Sequence, residues 1–289
     1  DENDVASYTL SIVEDTENPN LMFLGTADGL YVSLNAGTSW QKWAEGFPTV
    51  STKDLVIQPR EHDLVIGTFG RAAWVLDDIR PLRELAKNPS LLQKEISLFP
   101  SPDAYLAAYQ QPNGSRFGAD ALYNAENREY GAMITYYIKE RKKESDKSDT
   151  DSEEKESDTD AAKKEMTGVQ KKDSIQFQVY EGNRLIRTLK IKTPKKKGFH
   201  RMYWELDEKG ADRPSRKISK SKTENGGIQV KPGNYKVKVH FGNALDSTTV
   251  TVKTDPRLDV NQTAINEVYD MGSTLQDYIQ TSADAVKQL

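Results

Sequence analysis

No cysteine occurs in the 289 residues, which removes disulfides, zinc knuckles and thiol nucleophiles together. Cysteine-free chains occur in both the cytosol and the periplasm, so this count leaves the compartment open. Long apolar runs are also missing. Nothing approaches the run of about eighteen residues that a membrane-crossing helix needs, and the first residues hold no signal-peptide core. Histidine is scarce: His62, His200 and His240 lie far apart and share no metal-ligand spacing, so neither a metal nor a cofactor is expected. A basic excess is absent as well. Lys and Arg number 40 against 44 Asp and Glu, a formal net charge of −4, which argues against nucleic acid as a partner. Neither a Gly-x-Ser-x-Gly elbow nor a phosphate-cradling glycine loop is present.

What the chain does contain begins with Ser33-Leu34-Asn35-Ala36-Gly37-Thr38-Ser39-Trp40. Asn35 can bond backbone amides a few residues on and close a tight turn between two strands. Gly37 supplies a positive φ without steric cost, and Trp40 offers a large ring to bury where the next strand begins. A repeat surrounds this turn. Leu21-Met22-Phe23-Leu24-Gly25-Thr26 recurs as Asp63-Leu64-Val65-Ile66-Gly67-Thr68, a spacing of 42 residues, and each copy runs on into an aromatic strand. Short strands with turn signals at a period in the low forties are the signature of propeller blades. Residues 1–80 make two blades at most, while propellers close with about four or more. The chain starts at Asp1 without a methionine, so the other blades are expected from an upstream segment or chain.

Beyond residue 80 the pattern changes. Residues 81–104 carry Pro81, Pro89, Pro100 and Pro102 and read as a linker with a short helix at Pro81 and one short strand, Ile96 to Phe99. Residues 105–257 hold a new strand set, among them Gly131 to Ile138, Ser174 to Tyr180, Leu185 to Leu189, His200 to Leu206, Tyr235 to Phe241 and Thr248 to Val252. Six or seven such strands with polar turns predict an immunoglobulin-like or fibronectin-like sandwich. An insertion, 140–172, interrupts it. Twenty of its 33 residues are charged and none is aromatic, which predicts a loop without a packed core. Its Asp149-x-Asp151-x-Glu153 run lacks the glycine a calcium loop needs, since Glu154 stands there. Residues 258–289 read as a helical tail, with Ile265, Val268, Tyr269, Leu275, Ile279 and Val286 near helical spacing and Gly272 a weak point. The tail has no glycine or proline stop, which predicts that the helix runs on past residue 289.

Taken in order, several segments resemble one family. The turn reads as the Asp-box, or BNR repeat, with Ser33, Asn35, Gly37 and Trp40 as its structural positions and Asn35 in place of the commoner Asp. Asp63 to Arg71, then Trp74-Val75-Leu76-Asp77-Asp78-Ile79, are similar to the last propeller blade of a sortilin-like exported family of Bacteroidota, often labelled "glycosyl hydrolase". Met202-Tyr203-Trp204-Glu205-Leu206, Gly233-Asn234-Tyr235 and Asp255-Pro256-Arg257 resemble the flagellar-hook-capping type Ig-like domain that follows the propeller in that family. The resemblance implies a mostly-β chain of terminal propeller blades, an Ig-like sandwich and a C-terminal helix. It also implies export to the periplasm or cell surface. Asp-boxes in such propellers sit at strand turns away from the catalytic face, so the turn marks architecture rather than activity.

Candidate chemistry is thin. Asp28 and the pair Asp77-Asp78 are the carboxylates that could flank a sugar, but Asp28-Gly29 reads as a hairpin turn and adjacent strand residues point to opposite sides. No catalytic residue is expected. Two basic loops, Lys195-Lys196-Lys197 and Arg213, Arg216 and Lys217, could meet an anionic glycan or an acidic envelope protein. The expected function is non-catalytic binding and assembly, with glycan or peptide as ligand. The alternative is the C-terminal part of a glycan-degrading hydrolase whose active site lies on other blades.

Overall fold

The 42-residue repeat folds as two antiparallel meanders. A computed structural model describes residues 4–107, 128–139, 174–216 and 223–288; the insertion 140–172 and Lys217 lie outside these residues. In the first meander β1 (Thr9–Glu14), β2 (Met22–Thr26), β3 (Gly29–Ser33) and β4 (Gln41–Lys42) pair in chain order. In the second, β5 (Thr52–Gln58), β6 (Asp63–Thr68) and β7 (Ala73–Leu76) do the same. Ala27 and Asp28 form the hairpin turn between β2 and β3, just ahead of Gly29, and Thr26 Oγ1 donates to Asp28 Oδ1 at 2.7 Å.

The two sheets meet along β1, β2 and β5. Period-two alternation puts Phe23 and Val32 on one face of the first sheet and Leu55, Leu64 and Ile66 on the facing side of the second, where they share one apolar cluster. Helix α1 (Arg80–Lys87) closes this cluster with Leu82 and Ala86. Its Pro81 sits in the first turn, where a helix has no partner for an N–H. The other face of the second sheet is open: Val56, Val65 and Val75 lie in one register row, and Val56 and Val75 are 54% and 55% exposed.

An ionic clasp ties α1 to the first sheet. Arg83 Nη2 and Nε donate to Asp15 Oδ1 and Oδ2 at 2.6 and 2.7 Å, and both residues are buried. Asn18 Nδ2 donates to the Arg83 carbonyl at 3.0 Å, and His62 Nδ1 lies 2.7 Å from Arg83 Nη1. A fork-on-fork pair of this kind is strong because its two parallel bonds fix the geometry while the low dielectric sharpens the attraction.

The second half builds on different sheets. After a 3-10 turn (Pro89–Gln93) come β8 (Ile96–Leu98), β9 (Ala104–Leu106), β10 (Ala132–Ile138), β11 (Ser174–Glu181), β12 (Arg184–Lys192) and β13 (Gly198–Trp204). Then follow β14 (Asp207–Lys209), β15 (Gly226–Gln229), β16 (Gly233–Phe241), β17 (Ala244–Thr254) and helix α2 (Gln262–Gln288). A three-stranded sheet, β13-β10-β8, and a five-stranded sheet, β12-β11-β16-β17-β9, contribute to one apolar cluster that holds Trp204, Tyr136, Phe177, Ile134, Val179 and Val237. Trp204 is fully buried, edge-on to Tyr235, with its Nε1 donating to the Asp207 carbonyl at 2.9 Å. A large ring earns such a position only when its polar atom finds a partner.

The molecule is therefore mostly β, with a long C-terminal helix as expected. Residues 81–104 hold a short helix at Pro81 and a short strand from Ile96, as their sequence suggested: α1 packs into the first cluster, β8 edges the three-stranded sheet, and β9, which begins at Ala104, pairs parallel to β17. Prolines here punctuate elements that are too short to announce themselves by periodicity. No helix among the described residues is long and apolar enough to cross a membrane.

Candidate functional site: the cleft between the two halves

Strand β10 alternates between two jobs. Ile134, Tyr136 and Ile138 face the second core, so Thr135 and Tyr137 face the other way, toward the first half. Register places Arg201 opposite Thr135 and Phe199 opposite Tyr137 on β13. The Tyr137 and Phe199 rings meet edge to face at 5.6 Å. Across from them stand Leu82 and Leu85 of α1, Val32 on β3 and Leu34 just after it, Trp43 after β4, and Asp78. Together these residues enclose a cleft of about 880 Å³. Apolar walls with a few placed polar groups are what small-ligand and peptide pockets share.

The polar groups are unusual. Asp78 has a left-handed backbone (φ 55°), held by its own N–H donating to Asp63 Oδ1 at 2.9 Å. Its Oδ1 accepts from Arg80 Nε at 2.5 Å, while Oδ2 is buried without a hydrogen-bond partner among the described residues. Thr135 Oγ1 is buried and unpartnered in the same way. Both atoms lie out of solvent contact behind the cleft surface, where an unpaired polar group costs on the order of 1–3 kcal/mol.

A charged seam runs beside the cleft, with the cations on the second half and the carboxylates on the first. Arg128 Nη2 donates to Asp63 Oδ1 and Oδ2 at 2.7 and 2.6 Å and to Asp77 Oδ1 at 3.1 Å. Partial burial works against the Arg128 charge, but Asp63 and Asp77 outweigh it and leave the guanidinium's pKa raised. Arg201 Nη2 donates to the Asp77 carbonyl, and Lys196 Nζ meets Glu45 Oε1 at 3.0 Å on the open surface.

The residues singled out from sequence fall in separate places. Ser33, Asn35, Gly37 and Trp40 build the turn from β3 to β4. Ser33 Oγ accepts from Gly37 N at 2.9 Å, Asn35 Oδ1 accepts from Ser39 N at 2.9 Å, and Asn35 Nδ2 donates to Ser39 Oγ at 2.8 Å. Asn thus makes the acceptor contact and adds a donor contact that a carboxylate could not. Gly37 takes φ 78°, and a Cβ there would sit 3.5 Å from the half-buried Trp40 ring. The two basic loops do not converge. Lys195 to Lys197 precede β13, whereas the stretch with Arg213 and Arg216 follows β14, next to the end of α2 where Asp212 pairs with Lys287.

The carboxylates named as possible sugar contacts are held by cations. Asp28 Oδ2 accepts from Lys42 Nζ at 2.8 Å, a bond that pulls its carboxyl below the ordinary aspartate range. Asp77 serves Arg128 and Asp78 serves Arg80. The histidines stand apart in the structure as in the chain: His62 beside Arg83, His200 with Nε2 2.9 Å from the Lys196 carbonyl, and His240 on β16. Comparison with protein-family models, curated proteins and solved structures finds no match.

Sequence reasoning missed the cleft and its seam. Thr135, Tyr137, Phe199 and Arg201 were legible as alternate positions on two strands, but nothing in one chain says which face meets a distant helix. The Asp15–Arg83 clasp spans 68 residues and leaves no local trace.

Proposed function

We propose that the two meanders are the closing blades of an Asp-box β-propeller and that the sheets around Trp204 form an Ig-like sandwich. In this reading the chain is the non-catalytic binding and assembly portion of an exported, cell-envelope protein. The cleft is the observation that carries the functional part. Its walls are leucine and aromatic, and the neighbouring carboxylates are already committed to cations. Such a site suits holding an apolar peptide side chain or a sugar ring rather than moving protons between an acid and a base. The blade reading draws on the position of the turn at residues 33–40 between third and fourth strands, on the contact of β1 with β5, and on the uncovered valine row of the second sheet.

The test immobilises the full chain and passes over it a panel of glycans and a panel of peptides, followed by mass analysis of what is recovered. Retention of a glycan or peptide with unchanged mass is expected. Trp43→Ala with Phe199→Ala should weaken that retention by roughly tenfold or more, as removal of central aromatic anchors does. Retention of nothing, or product formation that disappears in Asp28→Asn or Asp77→Asn, would overturn the reading.

A further inference from the structure

Helix α2 is packed against its own domain by the wrong face. The face turned to the domain carries Tyr269, Gln276, Gln280 and Lys287, with Gly272 and Ala283 between them and the half-buried Ile265 and Val286 near its ends. Arg184 Nη2 donates to Tyr269 Oη at 3.0 Å, Gln276 Nε2 to the Lys209 carbonyl at 2.8 Å, and Asp212 N to Gln280 Oε1 at 2.9 Å. Gly272, a weak point for the helix on its own, is where the helix comes nearest to β15: a Cβ there would lie 3.0 Å from Ile228 Cγ2. This seat mixes polar contacts with the half-buried Ile265 and Val286, and Ala283 is the one fully buried residue of the helix among those described.

The apolar stripe looks elsewhere. Val268, Met271, Leu275 and Tyr278 recur at intervals of three, four and three residues and are 73%, 68%, 56% and 67% exposed, with Ile279 beside them. That spacing is the a/d seam by which one helix packs on another. At its N-terminal end the stripe runs into an apolar groove of about 730 Å³ between α2, β15 and the chain after β17, lined by Leu258, Val260, Ile265 and Ile228.

Charge selects the occupant. The helix carries Glu267, Asp270, Asp277 and Asp284 against a single cation, Lys287, which is already bound to Asp212 and Asp284. A second copy of α2 would bring the same negative surface within one helix diameter, about the Debye length, where like charges still repel. We infer that this stripe and groove dock an amphipathic helix of a partner protein, one whose apolar a/d seam is flanked by Lys and Arg.

The test uses the full chain and two synthetic helices with leucine at every a and d position, one with Lys and the other with Glu at e and g. The Lys-flanked peptide repels itself, so it is a monomeric probe. By fluorescence anisotropy it should bind the chain, and the Glu-flanked peptide should bind at least tenfold more weakly. Met271→Ser with Leu275→Ser should weaken the Lys-flanked peptide at least tenfold without moving the melting temperature, because both side chains are exposed in the unbound chain. Sedimentation of the chain alone should give a monomer. Equal affinity for both peptides, no binding of the Lys-flanked one, insensitivity to the double substitution, or a dimer that the same substitutions disperse would each overturn the proposal.

Discussion

The two halves solve the same problem, covering the faces of antiparallel sheets, with opposite completeness. Around Trp204 the three-stranded and the five-stranded sheet both contribute apolar side chains to one large buried cluster. In the first half the two meanders share one smaller cluster under α1, and the valine row of the second sheet stays in water together with Ile12, Tyr8 and Phe69. Sheets with an open apolar face and free edges are poor independent units. The contrast teaches that the first half should depend on what it is attached to, whereas each half holds a buried ion pair, Asp15–Arg83 in the first and Asp207–Arg187 in the second.

The widest gap between the halves should appear when they are separated. Residues 95–288 alone are expected to melt in one cooperative transition, while residues 4–94 alone should show none by circular dichroism or calorimetry. A sharp monomeric melt of the shorter piece would break the contrast. A smaller but still large effect should come from the clasp. Asp15→Ala removes the bidentate partner of the buried Arg83 guanidinium, leaving only the exposed Glu17 carboxylate at 3.1 Å, and should cost up to roughly 3–5 kcal/mol in urea unfolding. Asp15→Ala combined with Arg83→Met should recover much of that loss; no recovery would mean that the pair acts through packing alone. The smallest effect should come from the half-exposed Lys42–Asp28 bond. The pKa of Asp28 is depressed in the fold, so its contribution is present above the unfolded value of about 3.9 and is lost as pH falls through the folded value. Asp28→Asn should therefore remove less than about 1 kcal/mol at pH 7 and a smaller amount near pH 2, given how open the pair is. An equal loss at both pH values would assign the effect to the turn instead of the charge.

Much of the fold could be read from the chain because strands and turns are local. The alternation in Ser174 to Tyr180 and in Tyr235 to Phe241 became β11 and β16, and Glu181 to Arg184 became the hairpin between β11 and β12. The tail became α2, yet its stripe alone gave no hint that the apolar face would be left outside. What stayed hidden is polar and long-range. Arg83 finds Asp15, Arg128 finds Asp63 and Asp77, and Arg184 finds Glu208 and Tyr269 across gaps that no periodicity marks. Position 78 was legible only as an acid next to another acid. Its left-handed backbone, which turns the side chain inward, depends on Asp63 fifteen residues earlier.

One pairing bears on how the molecule would respond to tension. Strands β9 and β17 lie near the two ends of the second half and run parallel, with Ala104, Leu106 and the residue between them opposite Val252 to Thr254 and an ion pair from Lys253 to Asp103 alongside. A pull between the first half and α2 drags these strands in opposite directions along their length. The rungs of a parallel ladder are then loaded together in shear, whereas strands peeled from one end give way one rung at a time. The place where the second half joins its neighbours is thus also where it resists being drawn out.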